Sequence, residues 1–325
     1  MLAWRTPGMR EEWWVKTIAL GLMLLVAVSM AHAEPLRVAV DDQVASVKAG
    51  DSTRIRYRFA DAPFKPYLAE LYSPKGIQIL RDSPSDHKHH HALMFAVTVD
   101  GVNFWEEATS PGVQVHGRFE DVGTAIQGGV ERAGFTERLD WTAPDGQSVL
   151  LKETRRIDLF QIADVDASVV GWRARLEVPE GKPSATLTGA HYHGLGMRFL
   201  TSMDGVGRFF HAAGGAGEVV RGDERLTPAD WCAFIAEADG KPATVAVFDH
   251  PDNLRRPALW FTMGTPFSYI SATMNLWREP LEIATGKPLD LHYGVALWDG
   301  EIPAEEIQAL YDRWVALPGA FPAVP

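Results

Sequence analysis

Val169-Val170-Gly171-Trp172-Arg173-Ala174-Arg175-Leu176-Glu177-Val178, then Glu180-Gly181-Lys182-Pro183, then Thr186-Leu187-Thr188-Gly189-Ala190-His191-Tyr192, decides the fold class of this chain. Apolar and β-branched residues recur at alternate positions in both arms, the pattern of a pleated strand. The Gly-Lys-Pro link cannot continue either strand. It is also too short for a crossover helix, so successive strands must turn back on themselves. Outward from this stretch the pattern repeats. Leu36–Val40, Thr53–Phe59, Ala92–Val99, Ser148–Ile157, Thr244–Phe248, Leu259–Met263, Ser268–Met274 and Leu289–Trp298 read as strands. Turn signals such as Asp100-Gly101, Asp239-Gly240 and Thr285-Gly286-Lys287-Pro288 separate them. Pro303–Leu317 reads as a helix, with Ile307, Leu310, Tyr311 and Trp314 on one face and Pro303 suited to its first turn. These signals predict an all-β chain, a large antiparallel β-sandwich with a C-terminal helix. No phosphate-binding Gly loop follows a strand, and Gly214-Gly215-Ala216-Gly217 lacks the spacing for one.

Residues 1–33 predict an export signal rather than part of the fold. Arg10 and Lys16 precede the apolar run Thr17–Ser29, and Ala31-His32-Ala33 closes it with a small-x-small cut site. Met9 offers an alternative start to Met1. The run is short for a membrane span, which takes about 20 residues. Residues 34–325 then form one domain, expected in the periplasm or secreted, with no integral membrane association after processing. The formal charge is −11, and the leader is slightly cationic, so the remainder is more acidic still. That balance argues against nucleic acid as a partner. Cys232 is the only cysteine, so no internal disulfide forms, and its apolar setting beside Trp231 reads as core.

Chemistry is concentrated in Arg81-Asp82-Ser83-Pro84-Ser85-Asp86-His87-Lys88-His89-His90-His91, which holds four of the eleven histidines. Imidazoles at a loop-to-strand junction are placed to move protons or to hold a metal. If the strand starts near His90, then His91, Leu93 and Phe95 share one face and His90, Ala92 and Met94 the other. His87 and His89 stay on the loop, where Asp86 can orient an imidazole. His191-Tyr192-His193, read as a strand, would aim both imidazoles the same way, and His116, His250 and His292 could complete a divalent metal site. Asp249-His250-Pro251-Asp252-Asn253 ends a strand with an acid and an imidazole.

The same stretches are similar to a family of exported bacterial proteins labelled methane oxygenase PmoA-like, a domain of unknown function. The resemblance runs through Lys65-Pro66-Tyr67, Leu71–Gly76, Arg81–His90, Val102–Trp105, Gly194–Arg198, Trp231-Cys232, Phe248–Asn253 and Leu289–Gly300, nearly all of residues 34–325. His91-Ala92 stands where that family has Arg-Gly, and Ala69 where it often has histidine. A subunit of a membrane methane monooxygenase spans the bilayer several times, and nothing after residue 33 does so. The strand-rich length and the segment Gly286–Gly300 also resemble the supersandwich of galactose mutarotase-like proteins. That likeness implies an exported carbohydrate-active enzyme acting on a saccharide or sugar-derived molecule, as an epimerase, lyase or hydrolase. Its catalytic candidates are His87, His90, Asp86, Asp249 and His250. Its substrate-binding candidates are Lys65, Tyr67, Arg81, His89, His191 and His193. A non-catalytic glycan-binding protein and a histidine-rich metal-dependent protein remain the alternatives. No cofactor is required by any motif, a divalent metal stays open, and oligomeric state is not encoded in any pattern seen here.

Overall fold

The computed structural model describes residues 34–317, so the signal segment expected over residues 1–33 and the choice between Met1 and Met9 lie outside the described residues. The described residues form antiparallel sheets of ten, eight and four strands and one α-helix. The ten-stranded sheet runs Leu36–Val40, Val44–Ala49, Ser52–Arg58, Tyr67–Leu71, Leu93–Ala96, Gly194–Arg198, Tyr269–Thr273, Leu259–Met263, Glu224–Pro228 and Glu218–Arg221. The eight-stranded sheet runs Arg208–His211, Trp231–Ala238, Lys241–Asp249, Leu289–Asp299, Ala167–Glu177, Val149–Gln161, Val130–Thr142 and Val113–Gln127.

The two large sheets face each other across one apolar core. Tyr57 of the ten-stranded sheet meets Phe135 and Trp172 of the other at ring separations of 5.2 and 6.3 Å. Strand parity decides which side chains enter. In Leu289–Asp299, Leu291, Tyr293, Val295 and Leu297 face the sandwich interior, while Ala296 and Trp298 join the outer layer. The helix Ala304–Val315 covers that outer layer with Ile307, Leu310, Tyr311 and Trp314, the face its spacing predicts. Pro303 sits at the N-cap, one position before the first turn.

Three expectations change. The stretch at 92–99 is two strands: Leu93–Ala96 pairs in the ten-stranded sheet, and Thr98–Val99 pairs with Ser184–Thr188 in the four-stranded one. The arms of the opening stretch are strands, Ala167–Glu177 and Ser184–Thr188, but they enter different sheets. Finally, His191-Tyr192-His193 is a turn and not a strand. The His193 amide donates to the Ala190 carbonyl at 3.1 Å, and pairing resumes only at Gly194. Cys232 is buried in the core, and burial pushes its thiol pKa up. No helix of the described residues is long and apolar enough to cross a membrane.

Candidate functional site

The histidine loop is two consecutive tight turns. The His87 amide donates to the Pro84 carbonyl, and the His90 amide to the His87 carbonyl, at 3.0 and 2.9 Å. A turn brings residues three apart to one side, so the His87 and His90 rings stack at 4.8 Å. His89 meets the His90 ring edge-on at 4.6 Å. The strand begins only at Leu93, after Ala92 with a φ of +46°, so the parity expected from a start near His90 does not extend back to the histidines. Asp86 lies 3.1 Å from His87 Nδ1, as a carboxylate orienting that imidazole would.

These three imidazoles open onto a cavity of about 460 Å³. Its floor is aromatic, made by Phe261, Phe267 and Tyr269, while Glu106, Tyr192, Asp223, Glu224 and Arg221 contribute the polar lining. The Tyr192 hydroxyl donates to Glu106 at 3.0 Å, and Arg221 donates to Glu224 at 2.5 Å. Gly196 keeps the floor low. A β-carbon there would fall 2.0 Å from the Tyr269 hydroxyl oxygen and 2.6 Å from the Trp105 ring.

Electrostatics separate the histidines. Burial, with the neighbouring His89 and His87 adding to it, pushes the His90 pKa down to about 2. Burial also lowers the His89 pKa, helped by Lys65 and His87. Both imidazoles are therefore neutral at pH 7. Burial raises Tyr192 to about 12, with Glu106 contributing, and burial pushes Tyr269 well above the ordinary phenol value.

Behind the cavity lies a second ionic layer, built round the buried side chains of His91 and Lys65. The His91 ring is held between Asp82 and Glu107, each at 2.8 Å. Lys65 Nζ donates to Glu107 at 2.5 Å, and the Tyr67 hydroxyl donates to Asp82 at 2.7 Å. Burial works against the His91 cation, but the two carboxylate hydrogen bonds outweigh it and hold its pKa above the ordinary value. Burial likewise works against the carboxylate charges of Asp82 and Glu107, and their bonds to His91 outweigh it and lower both pKa values.

The structure thus sorts the expected site residues. His87, His89 and His90 line the cavity, with Asp86 supporting them. Lys65 and Tyr67 belong to the layer behind, and Arg81 reaches Asp204 at 4.0 Å. His191 contacts the Glu224 carboxylate of the lining at 3.1 Å. His193 is buried flat against Trp105, with ring centroids 5.1 Å apart. Asp249 and His250 are not among the residues lining the cavity. Asp249 accepts hydrogen bonds from Asn253 and from the Ala258 amide at 2.6 and 2.7 Å, pinning a turn. Burial raises its pKa to about 6. His250 stacks on His292 at 4.6 Å and packs edge-on against Trp314 of the helix. The expected convergence of these two with the histidine loop therefore does not occur, because their strand lies in the other sheet. His116 likewise turns to Glu137 at 2.6 Å. Among the described residues no three His, Cys, Asp or Glu side chains are grouped to hold a metal ion. Sequence reading passed over Glu106, Arg221, Glu224, Phe261, Phe267 and Tyr269. The signals that were present are the Trp105-Glu106-Glu107 run, with two acids directly after a buried aromatic, and the alternation Phe267-x-Tyr269.

A family model covers residues 44–312, almost all of the strands and the site. The chain belongs to DUF6807, a family of unknown function. The expected PmoA-like label finds no support in that match. No curated protein matches the DUF6807 chain. Similar solved structures include an α-galactosidase from Lactobacillus brevis, with 6% identity, TM-score 0.48, 81% of this chain and 39% of that one covered. The GH36 α-galactosidase AgaA from Geobacillus stearothermophilus gives 13% identity, TM-score 0.44, and coverage of 82% and 41%. A galactose mutarotase related enzyme from Lactobacillus acidophilus gives 8% identity, TM-score 0.27, and coverage of 82% and 100%. The DUF6807 chain thus spans about two fifths of the length of the two α-galactosidases.

Proposed function

We propose that this DUF6807 protein is a carbohydrate-active enzyme whose site is the cavity beneath the histidine loop. The supporting observation is the joining of imidazoles and carboxylates over an aromatic floor. His87 and His89 stand at one wall, Glu106 and Glu224 form part of the lining, and Tyr269, Phe261 and Phe267 lie below. A sugar ring lays its C–H face on aromatic rings and spends its hydroxyls on carboxylates and imidazoles. His89, neutral and half-buried, accepts a proton from the substrate. A carboxyl group of the lining serves as the second partner in proton transfer. His90, held neutral by burial, donates or accepts a hydrogen bond without titrating. Lys65, Tyr67, His91 and Glu107 hold the loop and the Glu106 segment in place from behind. The reading keeps the expectation of an exported chain cut after Ala33.

The test is a panel of oligosaccharides and monosaccharides, with product formation and retention measured separately on protein whose N-terminus has been sequenced. Saccharide turnover is expected, and the double substitution His87→Asn, His89→Asn should lower it by about 10²–10⁴-fold with the fold intact by circular dichroism. Wild-type rates in that variant would remove the acid–base assignment. Retention without product would make the protein a glycan binder, and no retention at all would end the saccharide reading.

A further inference from the structure

We infer that the cavity is built for a polyhydroxylated ring that carries a carbonyl, its oxygen seated on Tyr269 and His90 and its hydroxyls turned to the carboxylates of the lining. This rests on the saccharide reading above and narrows it.

At and behind the floor, the Tyr269 hydroxyl, His90 Nδ1, Trp105 Nε1, both ring nitrogens of His193 and the Ser271 hydroxyl are buried and have no protein partner. The rings concerned touch one another: His90 lies 4.8 Å from Tyr269, and Trp105 lies 6.2 Å from Tyr269 and 5.1 Å from His193. A buried polar atom left unsatisfied costs about 1–3 kcal/mol, so a cluster of them implies that water or ligand completes it. A neutral imidazole offers one donor and one acceptor, and hydroxyls offer both, but indole N–H only donates. Arg198, its guanidinium 3.6 Å from the centre of the Phe267 ring, adds two more donor-only nitrogens without partners. Donors are therefore in surplus below. Glu106, Asp223 and Glu224 reverse this in the lining, where carboxylates only accept. A ligand matching both ends has hydroxyls for the lining and an acceptor-only oxygen for the floor. A ketone oxygen is such a group.

The same pair suits the chemistry of a ketone. Burial keeps the Tyr269 phenol and the His90 imidazole neutral, so each donates a hydrogen bond and keeps its proton. His89 takes the proton from the carbon beside the carbonyl. The C–H electron pair becomes the C=C bond, and the C=O π pair moves to oxygen. The resulting enolate oxygen sits on the Tyr269 O–H and the Nδ1–H tautomer of His90, as in an oxyanion hole. Return of a proton to that carbon reforms C–H and C=O. The same face gives exchange with solvent, the opposite face inverts the centre, and no co-reactant is consumed.

The experiment compares three probes by isothermal titration calorimetry: scyllo-inosose, myo-inositol and glucuronate. Inosose and myo-inositol differ by one carbonyl. Inosose is expected to bind about ten-fold more tightly than myo-inositol. Tyr269→Phe should abolish that preference and not lower the melting temperature, because it deletes an unpartnered hydroxyl. In D₂O the wild type should exchange the inosose α-protons, followed by ¹H NMR. Equal binding of ketone and polyol, an unchanged preference in Tyr269→Phe, or tighter binding of glucuronate would overturn the carbonyl assignment and leave the saccharide reading standing. Binding without exchange would overturn the enolisation step. Binding of none of the three would count against the saccharide reading itself. Should Tyr269→Phe fail to fold, the wild-type comparison decides alone.

Discussion

His91 is the residue on which the back of the site depends. It is 1% exposed and bridges two carboxylates, that of Glu107 at 10% exposure and that of Asp82 at 33%. His91→Ala is expected to cost about 1–3 kcal/mol, because Glu107 keeps Lys65 as a partner and water reaches Asp82. Urea unfolding of wild type and variant measures it. The pH dependence has a definite sign. The folded pKa of His91 lies above the ordinary value, so its contribution is complete below about pH 6.5 and is lost as pH rises through the folded value. Asp82 and Glu107 have folded values below the ordinary ones, so their contribution is complete above about pH 4.5 and is lost on acidification. The wild-type advantage should therefore peak between about pH 4.5 and 6.5. An advantage that grows steadily toward pH 9 would show that His91 is not charged in the fold.

At the level of elements, packing of the helix on the eight-stranded sheet hinges on Gly294. A β-carbon there would fall 2.7 Å from the Trp314 ring and 3.0 Å from Phe248. Gly294→Ala is expected to destabilise by about 1–3 kcal/mol through overpacking, read as a lower urea midpoint with unchanged slope. An unaffected midpoint would mean that the helix gives way freely. That helix was legible because one face is wet and one is dry, which writes a 3.6-residue period into the sequence. Strands were legible for the same reason where one face is covered less. Trp231–Ala238 was not read as a strand, and its burial explains why. Seven of its eight residues are buried, since both faces are covered, and no alternation survives. Val113–Gln127 failed in the opposite way, since most of it is exposed or half-buried and reads as polar loop. The site was half legible. His87, His89 and His90 announce themselves by proximity in the chain. Glu224 and Tyr269 reach the cavity through sheet order, which brings in strands more than a hundred residues beyond the histidine loop. Asp249 and His250 have the composition of a site but sit on the other sheet.

Across the whole molecule, the sandwich is closed by a polar knot as well as by apolar packing. Arg155 projects from the eight-stranded sheet into the core and is 0% exposed. It donates to Glu153 through Nε and one Nη, to Gln114 at 2.9 Å, and across the interior to the Tyr57 hydroxyl at 2.8 Å and the Pro66 carbonyl at 3.0 Å. Trp141 and Tyr57 donate in turn to Glu153 and Glu137. One guanidinium thus ties the two large sheets together near the segment that carries Lys65. Arg155→Leu would leave the Glu153 carboxylate buried opposite no cation, and a loss of about 3–5 kcal/mol is expected. Salt distinguishes this from surface pairing. Exposed pairs such as Arg278–Glu218 are solvated on both sides and weaken as salt rises. Ions cannot enter the interior to screen Arg155, so its cost should be the same at 0.05 M and 1 M NaCl, within about 0.5 kcal/mol. The double substitution Arg155→Leu, Glu153→Leu should recover part of the loss, because the stranded charge goes with it. A salt-dependent cost, or no recovery in the double variant, would mean that water reaches Glu153 and that the knot is not sealed between the sheets.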